Sequence, residues 1–256
     1  MQPLSQCPPA RLAAVRGVLT DIDDTLTDGG QIAPDALQAL LDLRAAGLPV
    51  IAITGRPAGW GEPLARVWPV DAILAENGAV MLRRVDGEVR FNFTEDAATR
   101  AAHFNRLQTC AADVIARVPG ARLATDSPGR LTDIAIDHSE FAQLSADQIA
   151  AVCAVMRAHG LHATVSSIHI NGWIGGHSKW TAARWAVGPT FNPAEWIYVG
   201  DSTNDALMFE RMPLSVGVAN IARFVPQLTA LPTYVTEAER GAGFAELAAA
   251  LLAVRG

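Results

Sequence analysis

The sequence is short of cysteine and, more sharply, of lysine. Cys7, Cys110 and Cys153 lie far apart, with no CxxC pair and no histidine at metal-ligand spacing from them. Neither a disulfide framework nor a zinc site is expected from them, and free thiols in a reducing compartment are. Lys179 is the single lysine among 20 basic residues, and the arginines form no cluster. Together with a net charge of −6, this argues against a nucleic-acid backbone or an anionic membrane as main partner. Any anionic substrate must then be met by a local positive site. No stretch approaches the roughly 20 uninterrupted apolar residues of a spanning helix. The first 16 residues are broken by Pro3, Pro8 and Pro9 and lack the apolar run of a secretory leader. A cytoplasmic location is expected. Repeats and low-complexity tracts are also missing.

What is present is a globular composition, half hydrophobic and 18% charged over 256 residues. That length holds one large core or two modest ones. The apolar run Val15 to Leu19 reads as a buried strand. Pro34 to Ala46 places leucines on a helical period, and Leu48 to Thr54 is a second β-branched run closed by Gly55-Arg56-Pro57. A helix is expected around 61–67, a strand at Ala72 to Ala75 and a turn at Glu76-Asn77-Gly78. From Arg83 the pattern changes to hairpin and helix signals. Asp86-Gly87 marks a hairpin turn, 95–118 and 145–159 read as helices, and 121–124, 131–137, 161–165 and 168–171 read as strands. At Lys179 the first style returns, with a helix over 178–187, a buried strand Trp196 to Gly200, and strands at 214–218 and 234–236. The expected architecture is an α/β fold: a doubly wound, mostly parallel sheet over 1–82 and 177–256, with an inserted α+β cap over 83–176.

The chemistry-bearing residues fall at the ends of the predicted core strands, where ligands of open α/β sheets sit. Asp21, Asp23, Asp24 and Asp28 put four carboxylates into eight residues directly after the first strand. Their mutual repulsion is relieved by a cation, and a hard divalent ion such as Mg2+ is the simplest one. A solvated acidic turn explains the decapeptide alone equally well. Thr54, Lys179 and the pair Asp201/Asp205 occupy equivalent strand-end positions further along.

In that order these residues resemble the haloacid dehalogenase superfamily. DxDxT is Asp21-Ile22-Asp23-Asp24-Thr25, the second motif is Thr54 within ITGR, the third is Lys179, and GDSxND is Gly200 to Asp205. The resemblance implies a phosphomonoester hydrolase. In it Asp21 is nucleophile and metal ligand, and Asp23 is the proton carrier, with its backbone carbonyl on the metal. Asp201 is a further ligand, and Asp205 reaches the metal or orients Lys179. Thr54 and Lys179 hold the phosphoryl group, with Asn204 and the neighbouring Gly55 and Arg56 as further phosphate contacts. Asp24 and Asp28 are expected to be bystanders.

The cap position between the second and third motifs, and the turn Glu76-Asn77-Gly78-Ala79, resemble the branch with Cof-type, sucrose-phosphate and mannosyl-3-phosphoglycerate phosphatases. That branch implies a small phosphorylated metabolite as partner, with sugar phosphates foremost and Asn77 near the ligand. Alternation over the 168–173 strand puts His169, Asn171 and Trp173 on one face, where they are candidates to grip sugar hydroxyls or simply form a half-buried polar face. Arg122 and Arg130 read as solvated cap charges. Two alternatives stand beside this reading. A phosphohexomutase of the same superfamily needs several cap arginines facing the site. A non-catalytic phosphoacceptor or binding protein also combines aspartates, a threonine and a lysine, but the cap and the second acidic pair speak against it.

Overall fold

The computed structural model describes residues 1–255. Among them a nine-stranded sheet runs in the spatial order Gln2–Pro3, Tyr234–Val235, Ser215–Gly217, Trp196–Gly200, Gly17–Thr20, Val50–Ile53, Ala72–Ala75, Val80–Val85 and Glu88–Phe93. The first seven pair in parallel and the last two close the edge antiparallel. The central strands are buried along their whole length, which is why their sequences read as continuous apolar runs rather than alternating ones. Helices Pro34–Ala45 and Arg240–Ala253 pack together, with Leu40, Leu43, Phe244, Leu247 and Leu251 in the core against strand residues such as Val18. Helix Lys179–Val187 joins a separate cluster with Leu19, Ile53 and Tyr198.

Strand Gly17–Thr20 lies between Val50–Ile53, which follows it in the chain, and Trp196–Gly200, which returns from far downstream. The order reverses there, and at such a switch point the strand ends leave a crevice. Asp21 and Asp201 are the residues that follow these two strands.

The inserted unit is a three-stranded antiparallel sheet, His162–Val165, His169–Trp173 and Asp133–Asp137, carrying helices Ala97–Arg117 and Ala146–Ala158. It has its own apolar core around Leu107, Val114, Ile134, Met156 and Ile170. Its second helix begins with a capping box between Ser145 and Gln148.

Three expectations change. The boundary at Arg83 falls inside a hairpin that belongs to the core sheet, because buried Val80 and Leu82 pair with the Ala72–Ala75 strand and carry the rest of the hairpin with them. The segment 121–124 makes only an isolated bridge, Leu123 to Ile136, rather than a strand. Gln2–Pro3, for which no strand is read from the sequence, is an edge strand beside Tyr234–Val235.

The turn after Ala75 holds three successive residues with positive φ: Glu76 (51°), Asn77 (55°) and Gly78 (102°). Such conformations are costly for side-chain-bearing residues. They persist because Glu76 N donates to Arg56 O (2.9 Å) and Asn77 N to Thr54 O (2.9 Å), which ties the turn to the loop after Ile53. At Gly78 a Cβ would lie 2.3 Å from Ala182 Cβ and 3.0 Å from Ser178 O. Gly78→Ala is therefore expected to lower stability by about 2–4 kcal/mol, read as a fall in the denaturant midpoint. A midpoint unchanged from the parent protein would contradict this packing.

Candidate active site

Each polar group of the crevice is placed by the end of a core element. Asp21 follows the buried strand Gly17–Thr20, and its backbone N donates to Val199 O of the neighbouring strand (2.9 Å). Lys179 opens helix Lys179–Val187, whose start is fixed by a capping box between Ser178 and Thr181. Its Nζ donates to Asp21 Oδ1 (2.6 Å) and Asp205 Oδ1 (2.6 Å), and more distantly to Asn204 Oδ1 (3.4 Å). Both oxygens of Asp205 are engaged. Oδ2 accepts from the backbone N of Asp201 (2.9 Å) and Ser202 (3.0 Å), and Oδ1 accepts from the Tyr198 hydroxyl as well as from Lys179. Gly200 makes room for this, since a Cβ there would lie 2.5 Å from Asp205 Oδ2.

Asp201 is different. Its Oδ2 accepts from Asn220 Nδ2 (3.2 Å) and Arg223 (3.2 Å), but its Oδ1 is buried with no partner. Asp21, Asp201 and Asp205 each offer a carboxylate oxygen, all within 4.8 Å of one another. Three buried carboxylates thus face one buried ammonium, and the excess is negative. Burial raises the Asp21 pKa well above the usual carboxylate range, with Asp205, Asp201 and Asp23 adding to the rise and Lys179 opposing it. Asp201 is raised for the same reason, by burial first and then by Asp205 and Asp24. Burial works against the Lys179 ammonium, yet Asp205 and Asp21 outweigh it and hold its pKa above the ordinary lysine value. A donor set made only of oxygens, negative in sum and with one buried oxygen unpartnered, fits a hard divalent cation.

Asp23 stands apart from that cluster. Its Oδ2 accepts from the Thr54 hydroxyl (3.3 Å) and its Oδ1 from Arg56 Nε (3.0 Å). Its carboxylate is turned toward Thr54 and Arg56 because the second-motif loop supplies its donors; the atom expected on the metal is its backbone carbonyl. Arg56 extends further, to Asp126 (3.2 Å) and Glu140 (3.1 Å) of the inserted unit. His169 Nε2 meets the other oxygen of Glu140 (2.9 Å). Asp24, at φ 57°, faces Arg223 and Arg240, and exposed Asp28 faces Arg240.

Residues 18–110 match the profile of a family described as haloacid dehalogenase-like hydrolase. That match covers the first part of the chain, including Asp21, Asp23 and Thr54. It is 29% identical over 240 residues to a Methanoculleus marisnigri protein named phosphoglycolate phosphatase, covering 91% of this chain and 94% of that one. It is 27% identical to a Methanosarcina mazei protein of the same name, over 90% and 94%. Among solved structures it resembles a Thermoplasma acidophilum protein (TM-score 0.73, 17% identity, 93% of this chain and 98% of that one). It also resembles the Synechocystis sucrose-phosphatase, solved with sucrose and phosphate (TM-score 0.67, 16% identity, 93% and 98%). These likenesses carry the fold, including the inserted cap.

The inserted unit is fastened to the Thr54-Gly55-Arg56 loop by buried polar groups that sequence reading missed. Gly55 O accepts from Arg130 (2.9 Å) and Asn171 Nδ2 (3.1 Å). Arg130, read as a solvated charge, is only 4% exposed and is held by Asp126 and Asp133 at i−4 and i+3. The buried Glu76 carboxylate accepts from the backbone N of Ala58, Leu131 and Thr132. His169, Asn171 and Trp173 do share a buried face, but their polar tips are committed within the protein: to Glu140, to Gly55 O and to His177 O (3.1 Å). Trp173 also lines a cavity between the core and the inserted unit, but these polar atoms already have partners within the protein. Among the arginines a mutase could use, Arg83 of the core hairpin and Arg100 donate to main-chain carbonyls, and Arg117 and Arg122 pair with Asp113 and Asp137.

The clamp should be visible in the pH dependence of stability. Hydrogen bonding from His169 foremost, with Arg56 adding to it against the effect of burial, holds the Glu140 carboxyl down to about 2. A carboxyl depressed in the folded state contributes stability that is present above its ordinary value of 4.5 and is lost as pH falls toward 2. Glu140→Gln should therefore narrow its deficit in melting temperature against the parent protein as pH falls from about 5 to about 3. A deficit independent of pH would contradict the pairing.

Proposed function

We propose that the chain is a Mg2+-dependent phosphomonoester hydrolase that acts on a small phosphorylated metabolite through an aspartyl-phosphate on Asp21. The observation that carries this reading is the placement of Lys179 Nζ between Asp21 and Asp205, at 2.6 Å from each, beside the unpartnered Asp201 Oδ1. The two relatives named phosphoglycolate phosphatase support a phosphatase.

Asp21 attacks phosphorus and splits hydrolysis into two easier steps. Lys179 neutralises phosphoryl oxygens at one side of the nucleophile, and Asp205 with Tyr198 fixes its ammonium there. Thr54 and Asn204 add donors beside it. Asp23, oriented by Thr54 and Arg56, protonates the leaving oxygen and then takes a proton from the water that opens the intermediate. Asp21, Asp201 and the main-chain carbonyl of Asp23 would hold Mg2+, which would supply the charge neutralisation that lets a carboxylate approach a phosphate. The cap excludes water while the ester is bound. Two substrate classes come from the similar proteins: a phosphorylated hydroxy acid, as in the names of the relatives, and a sugar phosphate, as in the sucrose-phosphatase.

Asp21→Asn is expected to reduce phosphate release from an aryl phosphate by at least about a thousandfold without lowering the melting temperature. Unchanged turnover in this variant would remove Asp21 from the role. In Asp201→Asn the Mg2+ concentration for half-maximal activity should rise by about tenfold or more. Identical Mg2+ titrations of the variant and the parent would exclude Asp201 as a ligand.

A further inference from the structure

Three residues that each carry a buried side-chain atom with no hydrogen-bond partner line one cavity. Asn77 Nδ2, Thr164 Oγ1 and His177 Nε2 are all unpartnered, and all three residues line a space of about 540 Å3 between core and cap. Asn77 is 2% exposed and His177 8%. The cavity shares Lys179 and Asn204 with the site described above, so a molecule bound at Lys179 reaches into it. A buried polar atom left unpaired costs free energy of order 1–3 kcal/mol, and three such residues around one space point to a polar occupant.

The lining also states the sign of that occupant. Lys179 and Arg157 contribute two cations, and no carboxylate lines the cavity, although acidic residues outnumber basic ones in the chain. The opening on the other side of the site, around Asp23, has the opposite character, with Asp23, Asp24 and Glu140 against Arg56 alone. Donor and acceptor arithmetic sharpens this. Asn77 Nδ2 and the Arg157 guanidinium can only donate, Thr164 Oγ1 is free to donate, and Asn204 Oδ1 is already taken by Lys179 and Ser202. A sugar hydroxyl could donate to Thr164 Oγ1 or to Nε2 of a neutral His177, whereas a carboxylate gains in addition from the charge of Arg157 and Lys179. A carboxylate has acceptor sites only. His177, which burial foremost holds down to about 4, is neutral at pH 7 and can present a proton on Nε2 without bringing a second charge.

We infer that this cavity is an anion subsite that holds a carboxylate on the non-phosphorylated end of the substrate, with Asn77, Thr164, His177 and Arg157 as its donors. The inference rests on the phosphomonoesterase reading and narrows it to phosphorylated small carboxylic acids in preference to neutral sugar phosphates.

The test compares 3-phosphoglycerate with glycerol 3-phosphate, which have the same carbon skeleton and differ by a carboxylate in place of a hydroxymethyl group. With the full chain and Mg2+, kcat/KM should favour the acid by about tenfold or more. Arg157→Gln, at an exposed position, and Thr164→Val, which keeps the side-chain volume, should each reduce that ratio by about threefold to tenfold, with thermal melts showing that both remain folded. A ratio near one in the parent protein, or a ratio that neither variant moves, overturns the subsite while phosphate release keeps the phosphatase reading intact. If neither ester is hydrolysed, the catalytic reading fails. Calorimetric binding of the two compounds to the same protein then decides the subsite by the same preference for the acid.

Discussion

The Lys179 ammonium is the interaction on which the rest of the crevice depends. Asp21, Asp201 and Asp205 come from two strand ends far apart in the chain, and packed without a cation they would repel one another in a medium that screens poorly. Lys179 reduces that repulsion by touching two of the three. Removing one member of a buried ion pair commonly costs about 3–5 kcal/mol, because the partner is left charged and unpaired. The remaining negative excess, with a free oxygen on Asp201, is the property that suits the site to a divalent ion. Tyr198 and the backbone N–H groups of Asp201 and Ser202 complete the arrangement by saturating Asp205, so that acid positions the ammonium.

A second constraint joins the cap to the reacting groups. The loop Thr54-Gly55-Arg56 is held from below by the left-handed turn at Glu76 to Gly78 and from above by Arg130, Asn171, Asp126 and Glu140. The same loop supplies both donors to Asp23. Movement of the cap and the orientation of the Asp23 carboxylate are therefore mechanically linked through a few buried hydrogen bonds.

Much of this was legible in the sequence. The parallel core strands announced themselves as short apolar runs, and the order of Asp21, Thr54, Lys179 and Asp201 pointed to one crevice. Less legible was anything that depends on pairing across the chain. Arg83 to Phe93 reads as cap until the antiparallel pairing that joins it to the core sheet is known. Arg130 looks solvated until Asp126, Asp133 and Gly55 O surround it, although acids at i−4 and i+3 were a usable signal. Strand alternation placed His169, Asn171 and Trp173 on one face, but alternation says nothing of what that face meets. The cavity at Asn77, Thr164 and His177 draws on three distant segments and leaves no local signature.

The identity of the third-motif residue has a chemical corollary. Because Lys179 is the chain's single lysine and is only 3% exposed, its ε-amine is the one such group in the molecule, and it lies inside the crevice. The protein's outer surface carries its positive charge as guanidinium. Reagents that acylate or reductively alkylate amines thus meet, apart from the chain's α-amino group, a lone target whose reactivity reports on the occupancy of the crevice.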